Sequence, residues 1–290
     1  MYKPFKISWA AALMAFSFWQ AQAQQNTGGV SPAQSEDHSI ITDRPDATES
    51  PNTVEPGYIQ IETGGYYTSY EVSGVKTESY GYNTTLARIG LLENMELRLG
   101  VNYENNRVTT TMGEASVKND FKSFTPMLAG IKINLFEGQS FGGWPGKTDF
   151  GFLGHLYLPF TATSPSEDMS SGGAEGVPQT TGADFRFSVG HKLSDRSGLA
   201  YNLGGQWAGE GSGMAFVYTL AYGYSLSDRI GAYIELYGDA PELSSANHYW
   251  DAGFTYLAGW NLQYDLTFGR SITEGQDLLV SAGLSYKFAY

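Results

Sequence analysis

Apolar and polar side chains alternate along the chain from residue 57 onward, in segments of about 10 to 14 residues bounded by turn-forming residues. The segment 260–269 follows the rule without exception: its apolar positions are Trp260, Leu262, Tyr264, Leu266 and Phe268. A period of two is typical of a β-strand whose two faces meet different surroundings. The segment 95–104 alternates in the same way.

Twelve segments of this kind predict twelve strands. They lie near 57–70, 79–91, 95–104, 122–137, 148–162, 180–192, 198–209, 214–226, 229–238, 246–257, 260–270 and 277–290. The segment 79–91 is the least regular, because Arg88 interrupts whichever face is taken as apolar. An even number of amphipathic strands predicts an all-β fold, an antiparallel up-and-down transmembrane β-barrel of about 12 strands with an irregular N-terminal leader.

Strand length and aromatic placement both fit a bilayer. About ten residues, rising roughly 3.3 Å each and tilted near 40°, cover about 25 Å, which is the height of the apolar band of such barrels. Aromatic residues suited to the membrane boundary cluster near predicted strand ends. They include Tyr66, Tyr67, Tyr70, Trp207, Trp250, Tyr256 and Trp260.

The connections predict an orientation, since outer-membrane barrels have short periplasmic turns and longer external loops. The connections expected outside are 71–78, 105–121, 163–179, 210–213, 239–245 and 271–276. Those expected in the periplasm are 92–94, 138–147, 193–197, 227–228 and 258–259.

The N-terminus predicts export. Lys3 and Lys6 precede an apolar run from Ile7 to Trp19, followed by Ala21-Gln22-Ala23, which is the order of a secretory signal peptide. We expect cleavage after Ala23. A membrane anchor is the alternative, but the run is shorter than the roughly 20 residues that a spanning helix needs.

The predicted organisation is therefore a signal peptide at 1–23, an irregular segment at 24–56 and a barrel at 57–290. We expect the protein in the outer membrane of a Gram-negative cell. Cysteine is absent, which excludes disulfides and thiolate metal sites. The formal net charge of −13 argues against nucleic acid as a partner, because phosphate binding needs a basic patch.

The segment before the first strand carries a distinctive motif. It reads Ile41-Thr42-Asp43-Arg44-Pro45-Asp46-Ala47-Thr48-Glu49-Ser50-Pro51, followed by Val54-Glu55-Pro56-Gly57-Tyr58-Ile59-Gln60-Ile61-Glu62. This resembles the T-D-R-P-D-x-T-E-S-P…V-x-x-G-x-x-Q-x-E segment of the phenol-degradation (MetA-pathway) outer-membrane transporter family. The motif covers about twenty residues, and the rest of the resemblance is architectural. It implies an outer-membrane barrel more firmly than it implies a solute.

The same segment has a physical interpretation. Its prolines hold an extended backbone, and Asp43, Arg44, Asp46 and Glu49 are too costly to place against lipid. These residues therefore belong in the periplasm or inside the barrel. One hypothesis is that the segment enters the periplasmic mouth as a plug or latch; the alternative is a solvated extension.

The polar faces of the predicted strands carry charges of both signs. The inward positions are Glu62, Glu96, Arg98, Lys132, Asp149, Asp184, Arg186, Glu235, Asp251, Asp265 and Lys287. Such residues tune selectivity when a lumen conducts. They can equally serve to fill and rigidify the interior.

The sequence gives little support for an enzyme or a metal site. A lipid hydrolase would need a Ser near a His at the outer rim. The four histidines are His38, His155, His191 and His248, and the segment 190–197, which combines His, Ser and Asp, falls at a predicted periplasmic turn. No His or carboxylate cluster shows ligand spacing, so we expect no enzyme activity, metal or other cofactor.

These observations favour a passive channel or transporter for small solutes, which the resemblance suggests are aromatic compounds. A non-conducting structural or surface-interaction barrel is the main alternative, and a soluble periplasmic β-protein is a third. The expected partners are outer-membrane lipid, a small solute and the barrel-assembly machinery. The last is expected to recognise the final strand, which alternates up to Tyr290.

Overall fold

The computed structural model describes residues 39–140, 146–159, 180–273 and 275–290, and all its regular elements are strands. The predicted signal peptide and the predicted loop 163–179 lie outside the described residues. Within the described part of the chain, no helix is long and apolar enough to cross a membrane.

Thirteen strands form in the described residues. In chain order they are β1 (Tyr58–Val72), β2 (Val75–Leu92), β3 (Met95–Met112), β4 (Ala115–Phe124), β5 (Met127–Gln139), β6 (Thr148–Leu158), β7 (Gly182–Lys192), β8 (Ser197–Trp207), β9 (Met214–Ser225), β10 (Ile230–Pro241), β11 (Asn247–Gly259), β12 (Leu262–Ser271) and β13 (Leu278–Ala289).

The sheet closes on itself. Every pairing is antiparallel, and β1 pairs with β2 on one edge and with β13 on the other, where Tyr58 lies opposite Ala289. Strand β3 pairs with β5 through residues 95–100 and with β4 through residues 103–112. The short break between β4 and β5 contains Pro126, which has no N–H to give to a ladder. Together β4 and β5 occupy one position in the wall, so the barrel has twelve positions, as predicted.

The two ends of the barrel differ. The start of β1 and the end of β13 lie at one end, which we call the termini end. The β1–β2 and β3–β4 turns, at 73–74 and 113–114, lie at the other, which we call the hairpin end. Strands β2 and β3 have 18 residues each, enough for about 45 Å at a tilt near 40°, so they extend well beyond an apolar band of about 25 Å.

The apolar face looks outward and the polar face inward. On β12, Leu266 and Phe268 are 37% and 46% exposed, whereas Asp265 and Thr267 are 6% and 1% exposed. The same alternation on β9 exposes Phe216 and buries Ala221. This is the reverse of a soluble protein and confirms the predicted transmembrane barrel.

Two predicted loops were wrong. The predicted external connections 71–78 and 105–121 are almost entirely strand, because β1 to β4 continue as hairpins that turn at residues 73–74 and 113–114. Positive φ angles at Ser73, Gly74 and Gly113 make these tight turns possible. The residues between alternate less cleanly because they lie beyond the apolar band, where neither face needs to be apolar.

Irregular pairing explains why Arg88 seemed to break the pattern. The register of β2 against β3 shifts between Gly81 and Asn83, so the inward positions change from odd to even residue numbers. Arg88 then points into the lumen and is fully buried. A bulge thus resolves the sequence conflict.

One aromatic residue was also misplaced. Tyr66 is buried inside the barrel, where it packs against Leu279, instead of lying at the membrane boundary. Its neighbour Tyr67 points outward, and its ring centroid lies 5.1 Å from that of Tyr80.

We predict that Leu266→Arg lowers the free energy of unfolding from lipid vesicles by about 2–4 kcal/mol, because its side chain faces lipid near the middle of the wall. Leu278→Arg, at the hairpin end of β13 and also exposed, is the control and should cost about 0–1 kcal/mol. Denaturant titration of vesicle-bound protein measures both. Equal losses for the two variants would contradict the assigned membrane depth.

Candidate functional site

The lumen is occupied by the segment that precedes β1. Residues 39–56, which we call the leader, contain no helix or strand, and most of their side chains are buried. The leader enters at the termini end, where the N–H of Ile40 donates to the carbonyl oxygen of Trp260 at 2.7 Å. It returns to the same end at Glu55, whose carboxylate lies 3.1 Å from Nζ of Lys287. The leader is therefore a loop inserted from one end.

A cluster of buried charges binds both arms of this loop, the arm that enters the lumen through Asp43 and the arm that returns through Glu49. We call it the ion cluster; it contains three cations, Arg88, Arg98 and Lys132, and four carboxylates, Asp43, Glu49, Glu62 and Glu96. The wall strands β1, β2, β3 and β5 supply all of these residues except Asp43 and Glu49, which belong to the leader.

Asp43 is the centre of the ion cluster. Its carboxylate accepts hydrogen bonds from Nη1 of Arg98 at 2.6 Å and from Nζ of Lys132 at 2.6 and 2.7 Å, and it lies 3.1 Å from Nη1 of Arg88. Its own backbone N–H donates to Glu62 at 3.0 Å. Burial alone would raise the pKa of Asp43, but the three surrounding cations hold the pKa well below its usual range.

Glu49 and Glu96 complete the cluster. Glu49 lies 2.8 Å from Nη2 of Arg98 and 3.0 Å from Nζ of Lys132. Glu96 accepts two hydrogen bonds from Arg88, at 2.8 and 2.9 Å, and one from the backbone N–H of Val54 at 2.8 Å. Charges this deeply buried are tolerated only when they are paired and hydrogen-bonded.

Arg44 reaches the opposite wall. Its Nε and Nη2 donate to the carboxylate of Asp265 on β12 at 3.1 and 2.9 Å, in a two-pronged contact. Its guanidinium lies against the backbone of Gly64 and Gly283, where an added Cβ would lie 2.7 and 2.3 Å from Nη2 of Arg44. Glycine at these two wall positions leaves room for the arginine.

Residues 46–48, which we call the loop tip, bring the carboxylate of Asp46 near two carboxylates of the wall. The backbone N–H of Ala47 donates to Glu235 at 2.6 Å, and this brings Asp46 close to both Glu235 and Asp251. Neither carboxylate oxygen of Asp46 has a hydrogen-bond partner among the described residues, although the side chain is fully buried. Burial, and then repulsion from Glu235 and Asp251, raise the pKa of Asp46 well above its usual value.

Polar wall side chains hold the leader backbone. Asn202 accepts from the N–H of Glu49 at 2.7 Å and donates to its carbonyl oxygen at 2.8 Å, and the Ser188 hydroxyl donates to the same oxygen. Gln60 donates to the carbonyl oxygen of Ile41 at 2.7 Å. An irregular chain inside a closed barrel needs such partners for its backbone groups.

The structure distributes the predicted inward residues over several contacts. Glu62, Glu96, Arg98 and Lys132 meet in the ion cluster, while Glu235 and Asp251 lie at the loop tip. Asp184 and Arg186 are buried on β7, and Nη1 of Arg186 donates to the carbonyl oxygen of Ala47 at 3.2 Å. Asp265 binds Arg44, and Lys287 binds Glu55. Asp149 is half-buried near the termini end and accepts from the N–H of Gly138 at 2.6 Å.

Several contact residues were missed by sequence reasoning. Arg88 was hidden by the bulge in β2, and Gln60, Ser188 and Asn202 are uncharged residues that look like ordinary inward positions. Glu104 is also buried, beside Tyr66. It lies on the same inward face of β3 as Glu96 and Arg98, so the alternation along this strand could have identified it.

The histidines take part in wall contacts. Nδ1 of His155 lies 2.7 Å from Asp184 in the lumen, Nδ1 of His191 lies 2.9 Å from the Thr148 hydroxyl, and Nδ1 of His248 lies 2.7 Å from the Tyr218 hydroxyl. His38 lies outside the described residues. No group of three or more His, Cys, Asp or Glu within the described ranges is arranged to hold a metal ion.

A small cavity remains between the loop tip and the hairpin end. Leader residues Arg44, Pro45 and Ala47 form its floor. The wall contributes Tyr66, Thr84, Tyr237, Asp251, Thr267, Leu279 and Ser281. Aromatic, aliphatic and charged groups are therefore combined around one space.

A closed barrel with an apolar outer band and a leader folded into its polar lumen defines a transmembrane barrel of the outer-membrane type. Residues 42–288 match the sequence profile of the family described as "Putative MetA-pathway of phenol degradation". The chain belongs to this family. No curated protein sequence is significantly similar to it.

Three solved outer-membrane proteins are similar to this chain, and the first of them supports the fold. An outer membrane channel from Pseudomonas putida F1 is 11% identical, with a TM-score of 0.58 over 88% of this chain and 100% of that one. The CymD monoaromatic hydrocarbon channel is 13% identical, with a TM-score of 0.38 over 81% of this chain and 89% of the other. The translocator domain of the autotransporter NalP from Neisseria meningitidis is 15% identical, with a TM-score of 0.41 over 81% and 88%.

We predict that Asp43→Asn lowers the free energy of unfolding by about 3–5 kcal/mol at pH 7, because it leaves buried cations without their central carboxylate. The wild-type contribution is present above the unfolded pKa and is lost as pH falls through the depressed folded pKa. The variant should therefore approach the wild type in strong acid. Denaturant titration across pH measures this, and a pH-independent difference would contradict it.

Asp46→Asn should have the opposite effect. The folded state binds the Asp46 proton more tightly than the unfolded state, so wild-type stability falls as pH rises from the unfolded to the raised folded pKa. The amide carries no charge, and the variant should become progressively more stable than the wild type over that range. The same titrations measure it, and a destabilisation that grows with pH would contradict the assignment.

Proposed function

We propose that the protein is an outer-membrane channel for small solutes in which the leader closes the lumen and must move for solute to pass. The observation that carries the proposal is the filling of a polar lumen by a loop that enters and leaves at the same end. In this proposal the termini end faces the periplasm, as in other outer-membrane barrels.

The composition of the lumen supports passage of solutes. Polar and charged side chains line it on every strand that contacts the leader, and such walls hydrate a pore once the filling segment is displaced. The leader is held through side chains and backbone contacts and has no strand pairing with the wall. It can therefore leave without breaking the sheet.

We propose small aromatic compounds as the solute class. The cavity at the loop tip does not hold such a compound while the leader is in place, because its volume of about 20 Å³ has room for water but not for an aromatic ring. Displacement of the leader would expose Tyr66 and Tyr237, which line this space, to a solute. The description of the family points to phenolic compounds.

A non-conducting structural barrel is the second candidate. The observation that favours it is the completeness of the ion cluster, in which every member is paired and the leader supplies two of the carboxylates. Such a network can serve only to rigidify the interior. Conductance distinguishes the two candidates.

We further propose two partners for the barrel itself. Its apolar outer band is suited to outer-membrane lipid, and the final strand, with Leu284, Tyr286 and Phe288 on its outer face, is suited to recognition by the barrel-assembly machinery. Export by a cleaved signal peptide completes the proposal.

A disulfide can test whether the leader must move. A Cβ added at Gly190 would lie 3.3 Å from Cγ of Pro51, near the position that the sulfur of a cysteine at residue 51 would take, and the chain has no cysteine of its own. We predict that oxidised P51C/G190C gives no openings in planar bilayers, because the returning arm of the leader is locked to β7. Reduction should restore wild-type openings.

The single variants P51C and G190C, kept under the same oxidising conditions, are the controls and should conduct like the wild type. Equal conductance of the oxidised and reduced double variant would show that solutes pass without movement of the leader.

Deletion of the leader gives the complementary result. Removal of residues 24–50 should increase single-channel conductance, because Asp43 and Glu49 no longer fill the lumen. The control is removal of 24–37, which precedes the lumen segment and should leave conductance unchanged. Unchanged conductance after the larger deletion contradicts a plug, and a well-folded wild type that never conducts supports the structural candidate.

A further inference from the structure

A row of aromatic rings crosses the outer surface of β1 to β4. Tyr67 and Tyr80 lie 5.1 Å apart, Tyr80 and Tyr82 6.3 Å, Tyr82 and Tyr103 6.0 Å, and Tyr103 and Phe124 5.0 Å. Tyr82 and Phe124 are exposed. Outward-facing rings of this kind mark the level of the membrane–water boundary.

Charged residues lie directly beyond this row, toward the hairpin end. We call them the basic face; its members share the outward side of β2, β3 and β4 and are Lys76, Glu78, Arg107, Lys118, Asp120 and Lys122. Cross-strand pairing places them together, since Arg107 lies opposite both Glu78 and Asp120. The same register sets Lys122 one step beyond Phe124, on the same side of β4.

The basic face carries four cations and two carboxylates on a chain whose net charge is −13, and a further carboxylate, that of Glu71 on β1, lies opposite Lys76 at its edge. Its two carboxylates are already engaged, Glu78 with Lys76 at 2.8 Å and Asp120 with Arg107 at 2.8 Å. These pairs position Arg107, whose guanidinium lies 5.6 Å above the ring of Tyr80. Lys118 and Lys122 are exposed and form no ion pair with any described residue.

We propose that the basic face binds the phosphate groups of an anionic glycolipid in the outer leaflet of the membrane. The aromatic row sets its height at the headgroups, and its outward direction turns the cations toward lipid instead of toward the lumen. Arginine and lysine are the usual ligands of lipid phosphates, and each basic side chain near an anionic surface strengthens binding. Lys118 and Lys122 lie four residues apart on one strand, about 13 Å, which suits a disaccharide headgroup with a phosphate at each end.

The proposal rests on the outer-membrane orientation proposed above, but it does not require conduction. It also explains why β2, β3 and β4 extend past the apolar band as a continuous sheet. A flexible loop would not hold four cations at fixed spacing above a row of aromatic rings.

The test uses the full-length mature protein in phosphatidylethanolamine vesicles that contain either bisphosphorylated lipid A or its dephosphorylated form. Native mass spectrometry after detergent extraction, together with lipid titration, measures the glycolipid retained. The wild type should prefer the bisphosphorylated form, and K118Q/K122Q should bind it about tenfold more weakly. The matched control is R270E, which changes the net charge by the same amount at an exposed outward position of β12.

R270E should bind lipid A within about twofold of the wild type. An equal loss in R270E and K118Q/K122Q would overturn the proposal in favour of a general charge effect. Tight binding of inorganic phosphate alone, or self-association that is lost in K118Q/K122Q without a change in lipid binding, would also overturn it. Bilayer conductance of the same preparations distinguishes failure of the channel proposal from failure of the lipid-binding proposal, because the lipid preference should persist whether or not the protein conducts.

Discussion

Satisfaction of backbone hydrogen bonds in a medium without water is the constraint on which this structure depends. Lipid offers no donor or acceptor, so a sheet that crosses the membrane must have no open edge within it. Pairing of β1 with β13 removes that edge. In a closed sheet, one side chain of every two faces lipid and the other faces the interior. Polar side chains must therefore lie in the interior.

Those polar groups create an electrostatic problem that the leader solves. Around the ion cluster, the wall alone presents three cations, Arg88, Arg98 and Lys132, to two carboxylates, Glu62 and Glu96. Asp43 and Glu49 of the leader add two negative charges, so the complete ion cluster has four carboxylates for three cations. A lone buried charge costs several kcal/mol, so the leader acts as a counterion that is covalently attached to the wall whose positive charge it offsets.

The loop tip behaves differently. Asp46 adds a carboxylate to the acidic pair Glu235 and Asp251 and finds no hydrogen-bond donor among the described residues. The backbone of the tip is held by Glu235 and Arg186, while the Asp46 side chain has no such partner. The leader is therefore held more completely at the ion cluster than at its tip.

Much of the fold follows from the sequence because the membrane enforces a strict period of two. The alternation in 260–269 gave the correct facing for β12, whereas the predicted strand 122–137 proved to be parts of β4 and β5 separated at Pro126. The exceptions lie where that constraint is absent. Residues 105–121 are strand beyond the apolar band, where polar side chains on both faces look like a loop. Arg88 was obscured by a bulge, which no composition rule reveals.

The sequence was enough to predict which residues line the candidate site, but not which residues contact each other there. Asp43 and Arg98 could be placed inside the barrel because neither can face lipid, whereas their contact joins residues 55 positions apart and depends on where an irregular loop turns. Uncharged partners such as Asn202 and Ser188 carry no signal that separates them from other inward polar residues.

The shape of the leader also bears on the order of events during folding. The surface that binds the leader is formed by strands from both ends of the sheet, since Glu62 on β1, Asp265 on β12 and Lys287 on β13 all contact the leader. These residues come together only when the first and last strands have paired. Because the leader enters and returns through a single opening, nothing has to be threaded, and the leader can insert after the barrel has closed. An inserted leader is then a sign that β1 and β13 have paired.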